Sequence, residues 1–305
     1  MPRVLVTGAN GFAGAAICRH LLARGRAVRG AVRRTDAALP AGVERTVVGA
    51  LGDDTDWRQA LEGVDAVVHC AARVHVLRET EADPLAAFRR VNVDASRRLA
   101  EQAIAAGVRR FVFLSSVGAM VAAARPGAAS PYQRSKLEAE QALAQVAAGS
   151  GLILVMLRPP LIYGPGAPGN FARLQRLVAQ GLPLPLASLD NRRSLLFVGN
   201  LAEAVEAALA CTVKPAAALP LCDGEDVSTA ELVRRLGRAC GRPARLLPCP
   251  PALLRLAGRV TGRGAAVEAL TADLTVSNAA IAEALGWSPA YTLDEGLALT
   301  VREAA

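Results

Sequence analysis

The chain is poor in aromatic residues and lacks the patterns of a metal-binding or disulfide-linked protein. Only 4% of its 305 residues are Phe, Trp or Tyr, so Leu, Val and Ala must supply most of the core. The three histidines and six cysteines form no Cys-x-x-Cys pair and no cluster with metal-ligand spacing, so no metal site is expected. The cysteines lie mostly in apolar contexts and are typical of buried free thiols in a reducing compartment, which indicates a cytoplasmic protein.

The sequence also lacks long apolar runs and concentrated positive charge. No apolar run reaches the roughly 18 residues of a spanning helix, so we expect no membrane insertion. The formal net charge is +8, but the arginines are dispersed and are not interleaved with aromatic residues, which argues against nucleic acid. Residues 251–263 combine apolar residues with three arginines. Two interpretations stay open for this segment: a membrane-surface helix, or the commoner case of a helix that packs its leucines inward.

Short β-branched runs alternate with helical patterns, which predicts an α/β fold. We expect a Rossmann-type doubly wound parallel sheet with a smaller, interleaved C-terminal substrate lobe. Predicted strands cover residues 3–7, 27–32, 43–48, 66–69, 110–115 and 153–158. Predicted helices cover residues 14–24, 55–61, 85–106, 130–148, 170–180, 200–210, 228–240 and 251–260. The predicted core comprises residues 1–165 with 190–215 returning to it, and the predicted lobe comprises 166–189 and 216–305.

A glycine-rich turn follows the first predicted strand. Residues 7–14 read Thr-Gly-Ala-Asn-Gly-Phe-Ala-Gly and lead into the first predicted helix. A strand, a glycine turn and a helix N-terminus can hold a dinucleotide pyrophosphate, because free N–H groups at the start of the helix face the anion. We assign Gly8 to the tight turn, Gly11 to the approach of the phosphates and Gly14 to close packing of the helix.

Tyr132 and Lys136 lie four residues apart in a predicted helix and therefore share one helix face. An ordinary tyrosine has a pKa of about 10 and is a poor acid or base at neutral pH. A nearby lysine ammonium lowers that pKa, so we predict that Lys136 activates Tyr132. Ser116 follows an apolar predicted strand, and parallel strands contact ligands at their carboxyl ends. We therefore predict a catalytic set of Ser116, Tyr132 and Lys136.

Together these motifs resemble the extended short-chain dehydrogenase/reductase superfamily over essentially the whole chain. The residues that carry the resemblance are 7–14, 69–72, Ser116, Tyr132 with Lys136, and 158–166. Residues 71–76, 83–84, 92–93, 170–171 and 191–196 are most similar to nucleotide-sugar epimerases and 4-ketoreductases. Within that branch, the chain looks most like bacterial enzymes that reduce UDP-4-keto-6-deoxy-N-acetylhexosamines for surface polysaccharide.

The resemblance implies a role for each matching residue. Tyr132 protonates the C4 carbonyl oxygen, Lys136 binds the nicotinamide ribose, and Ser116 orients the carbonyl. Asn92 fixes the loop below the nicotinamide. The implied cofactor-binding residues are Gly8, Asn10, Gly11, Phe12, Gly14, Arg33, Arg34, Ala71, Asn92, Tyr132 and Lys136. The implied substrate-binding residues are His75, Ser116, Tyr132, Asn170 and Arg193. The superfamily commonly forms homodimers, and the small residues Ala100, Ala103, Ala139 and Ala142 would permit close helix pairing.

The end of the second predicted strand favours NADP(H) over NAD(H). NAD enzymes place an acidic residue there to bind the ribose 2′-hydroxyl, whereas this chain has Val32 followed by Arg33 and Arg34. Asp36 is the residue that would restore NAD(H) binding if the loop folded back. The family's usual acidic adenine contact is replaced by Ala50, with Asp53 as a substitute. The loop after Ser116 borders the sugar and lacks the family's usual sequence, so the sugar stays open.

The preferred function is NADPH-dependent reduction of the C4 ketone of a nucleotide-linked keto-deoxy sugar, with a UDP sugar as the expected substrate. A UDP-hexose 4-epimerase that holds NAD is the main alternative. A reductase of free aldehydes or ketones lacks a use for Arg193, and a non-catalytic NADP sensor would not need the full catalytic set.

Overall fold

The computed structural model describes residues 2–74, 81–262 and 264–302. The strands are β1 (Arg3–Thr7), β2 (Ala27–Val32), β3 (Glu44–Val47), β4 (Ala66–His69), β5 (Arg110–Leu114), β6 (Ile153–Arg158), β7 (Leu161–Tyr163), β8 (Arg193–Phe197), β9 (Leu219–Pro220) and β10 (Asp226–Val227). The helices are α1 (Phe12–Ala23), α2 (Arg58–Leu61), α3 (Pro84–Arg89), α4 (Ala95–Ala105), α5 (Val117–Ala124), α6 (Pro131–Ala147), α7 (Gly169–Ala179), α8 (Val198–Ala210), α9 (Thr229–Ala239), α10 (Pro251–Val260), α11 (Gly264–Thr271), α12 (Ala279–Leu285) and α13 (Leu293–Arg302).

The chain divides into two compact units. The first contains residues 1–159, 198–221 and 278–288, and the second contains 160–197, 222–277 and 289–305. These bounds differ from the predicted ones because β8 joins the sheet of the second unit, whereas α12 packs against β9 of the first. The chain therefore crosses between the units more often than its composition indicates.

The first unit is built on a seven-stranded sheet in the order β3-β2-β1-β4-β5-β6-β9, and every neighbouring pair is parallel. Its core is aliphatic with a few large rings, including fully buried Trp57, Phe111 and Phe113. The strand order reverses between β1 and β4, which is where ligands bind in sheets of this kind. The predicted fold class is confirmed, and four of the six predicted strands have the predicted bounds.

Two segments of the first unit differ from the sequence prediction. The segment after Ser116 is the helix α5 rather than a loop, because Ser116 caps it by accepting a hydrogen bond from the N–H of Gly118 at 3.0 Å. The long helix predicted over 85–106 consists of α3, the π-helical segment Arg90–Asp94 and α4. A π-helical segment inside a helix is rare and is often found at functional sites.

The second unit contains a three-stranded sheet in the order β10-β8-β7, with β8 parallel to β7 and antiparallel to β10. Tyr163 is the last residue of the edge strand β7 and is fully buried. Its hydroxyl donates to Asp223 Oδ2 at 2.9 Å, and its ring packs against Phe171 and Phe197. Tyr163, which lies within the stretch 158–166 that carries the family resemblance, is therefore a core residue of this unit.

The six cysteines are free, but only Cys18 and Cys222 are fully buried. Burial raises the pKa of the Cys18 thiol to about 12. Among the described residues, no helix has the length and apolar character needed to cross a membrane. Within the same residues, no group of three or more His, Cys, Asp or Glu side chains is arranged to hold a metal ion.

Candidate active site

The glycine turn forms a close-packed cradle between β1 and α1. Gly8 has φ of +65°, and a Cβ on it would lie 3.0 Å from the Ala71 backbone. A Cβ on Gly14 would lie 2.2 Å from the Gly8 carbonyl oxygen, so that position excludes any side chain. Gly11 donates its N–H to the same carbonyl at 2.9 Å and closes the turn.

The N-terminus of α1 suits an anion. Gly11 stands at the N-cap, so no side chain caps the helix, and the first turn carries no acidic residue. The first N–H groups of an uncapped helix, together with its dipole, favour a phosphate. Asn10 and Gly11 are exposed and Phe12 is half-buried at this end. The cradle and the free helix end fit the pyrophosphate of a dinucleotide.

Tyr132 and Ser116 are brought together in front of β5. The Ser116 hydroxyl lies close enough to the Tyr132 hydroxyl to influence its pKa, and the Tyr132 ring meets Phe88 edge-on at 6.2 Å between ring centroids. Burial raises the pKa of Tyr132, and the Ser116 hydroxyl opposes that rise. This direction is opposite to the lowering that the sequence predicted from Lys136. Tyr132 is therefore held as a protonated phenol.

Lys136 is buried, with 2% of its surface exposed. Its Nζ donates to the Leu114 carbonyl at 2.7 Å and lies 4.5 Å from the centre of the Phe113 ring. Burial lowers the pKa of Lys136 to about 8, while Cys70 and Glu140 favour its charged form. The Lys136 ammonium is therefore desolvated, and it is hydrogen-bonded to a backbone carbonyl of β5.

A buried carboxylate one turn beyond Lys136 fixes the helix α6 to the sheet. Glu140 of α6 accepts a hydrogen bond from Ser115 Oγ at 2.5 Å and a bidentate pair from Arg158 of β6 at 2.9 and 2.5 Å. Glu140 is 4% exposed, and its partners on β5 and β6 hold α6 in one register. Sequence reasoning missed Glu140, although the four-residue spacing of Tyr132, Lys136 and Glu140 was available as a signal.

His69 is the centre of a buried hydrogen-bond chain. The register of β1 and β4 sets Thr7 beside His69, and Thr7 Oγ1 lies 2.7 Å from His69 Nδ1. The other ring nitrogen, Nε2, lies 2.8 Å from Ser96 Oγ, which itself donates to the Asn92 carbonyl at 2.7 Å. Since the Ser96 hydroxyl hydrogen is used, Nε2 must donate and Nδ1 must accept. Burial, followed by the charge of Lys136, lowers the pKa of His69 to about 3.

Asn92 links these hydrogen bonds to the helix α6. Its side chain accepts from the Arg73 N–H at 2.7 Å and donates to the Arg73 carbonyl at 3.1 Å. It also donates to Ser135 Oγ at 2.9 Å, and Ser135 donates to the Tyr132 carbonyl at 2.8 Å. Asn92 therefore holds the segment after β4, and the position of this segment below the nicotinamide stays a prediction. At the other end, the Ala71 N–H donates to Thr7 Oγ1 at 3.1 Å.

The chain is similar to known proteins over nearly its full length. A profile of the NAD-dependent epimerase/dehydratase family matches residues 4–217. This chain belongs to that family. It is 38% identical to a UDP-glucose 4-epimerase of Vibrio cholerae, over 99% of this chain and 95% of that protein. It is 32% identical to a ceramide reductase of Caulobacter vibrioides, over 98% and 93% of the two chains.

A solved structure agrees with the family. The complex of Thermus thermophilus UDP-glucose 4-epimerase with NAD has a TM-score of 0.74 and 27% identity, and covers 99% of this chain and 98% of that one. Membership of the epimerase/dehydratase family confirms the extended short-chain dehydrogenase/reductase resemblance and makes the chain an enzyme of the NAD(P)-dependent oxidoreductase type. Both epimerases and reductases occur among its relatives, so membership alone does not choose between these reactions.

The two arginines that follow β2, both predicted to bind phosphate, differ in their partners. Arg34 forms a bidentate pair with Asp36 at 2.9 and 2.6 Å, and this pairing lowers the pKa of Asp36. Arg33 is exposed and makes no hydrogen bond or ion pair with the described residues. Arg45 of β3 adds a further positive charge near the end of β2. Its guanidinium donates a hydrogen bond to the Thr35 carbonyl. Asp36, the residue that would restore NAD binding, is thus already paired.

The third strand ends before the predicted adenine contacts. Ala50 is exposed, and its carbonyl accepts a hydrogen bond from Thr55 Oγ1 at 3.2 Å. Thr55 Oγ1 also accepts from the Gly52 N–H at 2.9 Å, which closes the turn that contains Asp53. Asp53 is exposed on that turn, and its role as an adenine contact stays a prediction.

The predicted substrate residues of the second unit occupy different surroundings. Asn170 is exposed in the first turn of α7. Arg193 is half-buried on β8, where Nη1 donates to the Ala272 carbonyl at 3.4 Å and burial lowers its pKa. Its neighbour Arg192 forms an ordinary exposed ion pair with Asp226 at 3.2 Å. His75, the remaining predicted substrate residue, lies outside the described residues.

Three of the four small residues that were predicted to permit helix pairing in a dimer pack inside the chain itself. Ala100, Ala103 and Ala139 are buried in the core of the first unit, where α4 packs against α6. They therefore permit close packing of two helices of the same chain. These three alanines are therefore not available for helix pairing across a two-fold axis, whereas Ala142 is half-buried, and the homodimer stays a prediction.

Proposed function

We propose that this enzyme reduces the C4 ketone of a nucleotide-linked keto-deoxy sugar with NADPH, and that a UDP sugar is the substrate. The observation that carries the proposal is the end of β2. There an apolar Val32 takes the place of the acid that a ribose 2′-hydroxyl requires, and Arg33 presents a guanidinium with no partner among the described residues. Guanidinium groups bind phosphate through charge-assisted hydrogen bonds, so this end of β2 suits a 2′-phosphate.

The coenzyme, when bound, supplies the hydride. The residues of the first unit then have three tasks. Ser116 and Tyr132 direct their hydroxyl groups at the carbonyl oxygen, and Tyr132 releases its proton to that oxygen. The raised pKa of Tyr132 keeps the phenol protonated, which is the form that a reduction needs. We assign Lys136, with its pKa of about 8, to the ribose hydroxyls and to stabilising the tyrosinate once the proton has left.

Substrate recognition is assigned to residues of the second unit. Arg193 is a half-buried guanidinium, and Asn170 lies in the first turn of α7, where helix N–H groups also favour anions. We assign both residues to the diphosphate of the nucleotide sugar. A homodimer is the expected assembly by analogy with the superfamily.

A UDP-hexose 4-epimerase is the second candidate. It is favoured by the 38% identity to the Vibrio cholerae protein of that name over nearly the full length of both chains. The two candidates share Ser116, Tyr132 and Lys136 but differ in their use of coenzyme. An epimerase returns the hydride to the sugar and consumes no coenzyme, whereas a reductase consumes one equivalent in each turnover.

Turnover assays separate the candidates. We expect oxidation of NADPH, and slower oxidation of NADH, in the presence of a UDP-4-keto-6-deoxy-N-acetylhexosamine. Interconversion of UDP-glucose and UDP-galactose without added coenzyme, together with no oxidation of NADPH, would replace the reductase by the epimerase. dTDP-linked 4-keto sugars in the same panel test the nucleotide base.

A further inference from the structure

The helix α10 exposes its large apolar side chains. Leu253, Leu256 and Val260 are 56%, 57% and 80% exposed. Their spacing of three and four residues puts them on one side of the helix. The opposite side carries Gly258, which is buried, and α10 packs against α11. Of the two interpretations left open by the sequence, inward packing of these leucines is therefore not what the structure shows.

Two guanidinium groups lie beside this apolar side. Arg255 and Arg259 are one turn apart and exposed, and neither forms an ion pair or hydrogen bond with the described residues. Together with Gly264 and Glu268 they line a cavity of about 260 Å³. The arginines of α9 differ, because Arg234, Arg235 and Arg238 all pair with Glu225 or Glu231.

We propose that this face of α10, consisting of Leu253, Leu256, Val260, Arg255 and Arg259, binds the surface of an anionic phospholipid bilayer. A helix lies in the plane of a membrane interface when leucines enter the acyl boundary and basic side chains meet lipid phosphates. The exposed leucines and unpaired guanidiniums of α10 supply both groups on adjacent sides of one helix. The net charge of +8 adds a long-range attraction to an anionic surface.

A second copy of the chain is a poorer occupant of the same face. A two-fold contact uses one patch on both subunits, and this patch is a single helix of ten residues. Such a contact would hold Arg255 and Arg259 of both copies within a short distance of one another. Each copy brings one Glu268, the acidic residue of the cavity, so two carboxylates would face four guanidiniums.

Vesicle sedimentation of the full chain tests the proposal. We expect the protein to bind vesicles of phosphatidylglycerol and phosphatidylethanolamine at low salt and to bind vesicles of phosphatidylcholine weakly. Two double variants, Leu253→Ser with Leu256→Ser and Arg255→Glu with Arg259→Glu, should each lower the partition coefficient about tenfold or more. All four side chains are exposed, so circular dichroism and thermal melting should be unchanged.

A matched control uses exposed arginines elsewhere in the second unit. Arg173→Glu with Arg176→Glu on α7 changes the net charge by the same amount and should keep most of the binding. Equal loss in this control and in the α10 variants would overturn the proposal, as would failure of the parent protein to bind anionic vesicles. A parent dimer that becomes monomeric with Leu253→Ser and Leu256→Ser would overturn it in favour of a contact between copies.

Discussion

The pH dependence of stability should be governed in part by His69. In the folded chain this imidazole is buried and donates and accepts one hydrogen bond each, so it is held neutral with a pKa of about 3. In the unfolded chain its pKa returns to about 6.5. Because the folded pKa is the lower one, the unfolded state binds the proton first. Stability is therefore unaffected above about pH 6.5 and is lost progressively as the pH falls toward 3.

The magnitude follows from the two pKa values. Between pH 7.5 and pH 5, protonation of His69 in the unfolded chain should lower the free energy of unfolding by about 2 kcal/mol. Replacement by Gln removes the titration while retaining an amide that can donate and accept. The change in the free energy of unfolding over this pH interval should consequently be about 2 kcal/mol smaller in His69→Gln than in the parent.

Urea unfolding at the two pH values measures this difference. Fluorescence of Trp57 and Trp287 is a suitable signal, since both side chains are buried in the first unit, which also contains His69. His20→Gln is the matched control, because His20 is a half-buried histidine of the same unit that pairs with Glu206. Equal losses of free energy of unfolding on acidification in the parent and in His69→Gln would refute the assignment to His69. So would a smaller loss in His20→Gln instead.

Three further predictions concern the coenzyme, the catalytic acid and the glycine turn. Arg33→Ala should weaken NADPH binding about 10- to 100-fold and leave NADH binding unchanged, whereas Arg34→Ala should have a smaller effect because that guanidinium is already paired; titration of each coenzyme checks this, and equal affinities for Arg33→Ala and parent would contradict it. Tyr132→Phe should lower kcat by about 10²- to 10⁴-fold without changing coenzyme affinity, and steady-state kinetics that stay near the parent rate would remove Tyr132 from the mechanism. Gly14→Ala should lower the free energy of unfolding by about 1–3 kcal/mol, because its Cβ would meet the Gly8 carbonyl oxygen at 2.2 Å; an unchanged urea midpoint would show that the turn relaxes freely.

The main sheet was predictable because its strands are short, apolar and bounded by polar turns. In a parallel sheet covered on both faces, strands such as Val4–Val6 are continuous apolar runs, and these stand out in the sequence. The strands β7, β9 and β10 were missed because strands of two or three residues carry too little pattern. The five-residue strand β8 was missed although it is as long as β1. The helix α5 was missed because its sequence has no polar face, and only half of its residues are buried.

The candidate site was predictable where its residues are neighbours in the sequence or follow a strand. Tyr132 and Lys136 share a helix face, and the structure brings Ser116 to the Tyr132 hydroxyl. The sequence predicted a lowered pKa for Tyr132, whereas burial in the structure raises it. The prediction was wrong because the sequence showed the nearby lysine but not the burial of both side chains. The role of His69 depends on Thr7, 62 residues away, which the register of β1 and β4 sets beside it, and on Ser96, 27 residues away on α4.

Deuterium tracing tests the central claim most directly. NADPH carrying deuterium at both C4 positions of the nicotinamide is incubated with the parent enzyme and a UDP-4-keto-6-deoxy-N-acetylhexosamine, and the product sugar is analysed by mass spectrometry and NMR. The proposed reduction predicts one deuterium at C4 of each sugar formed, and no such product with Tyr132→Phe on the same time scale. A product that carries no deuterium, or conversion of UDP-hexoses by the parent enzyme without any exchange from the coenzyme, would contradict it.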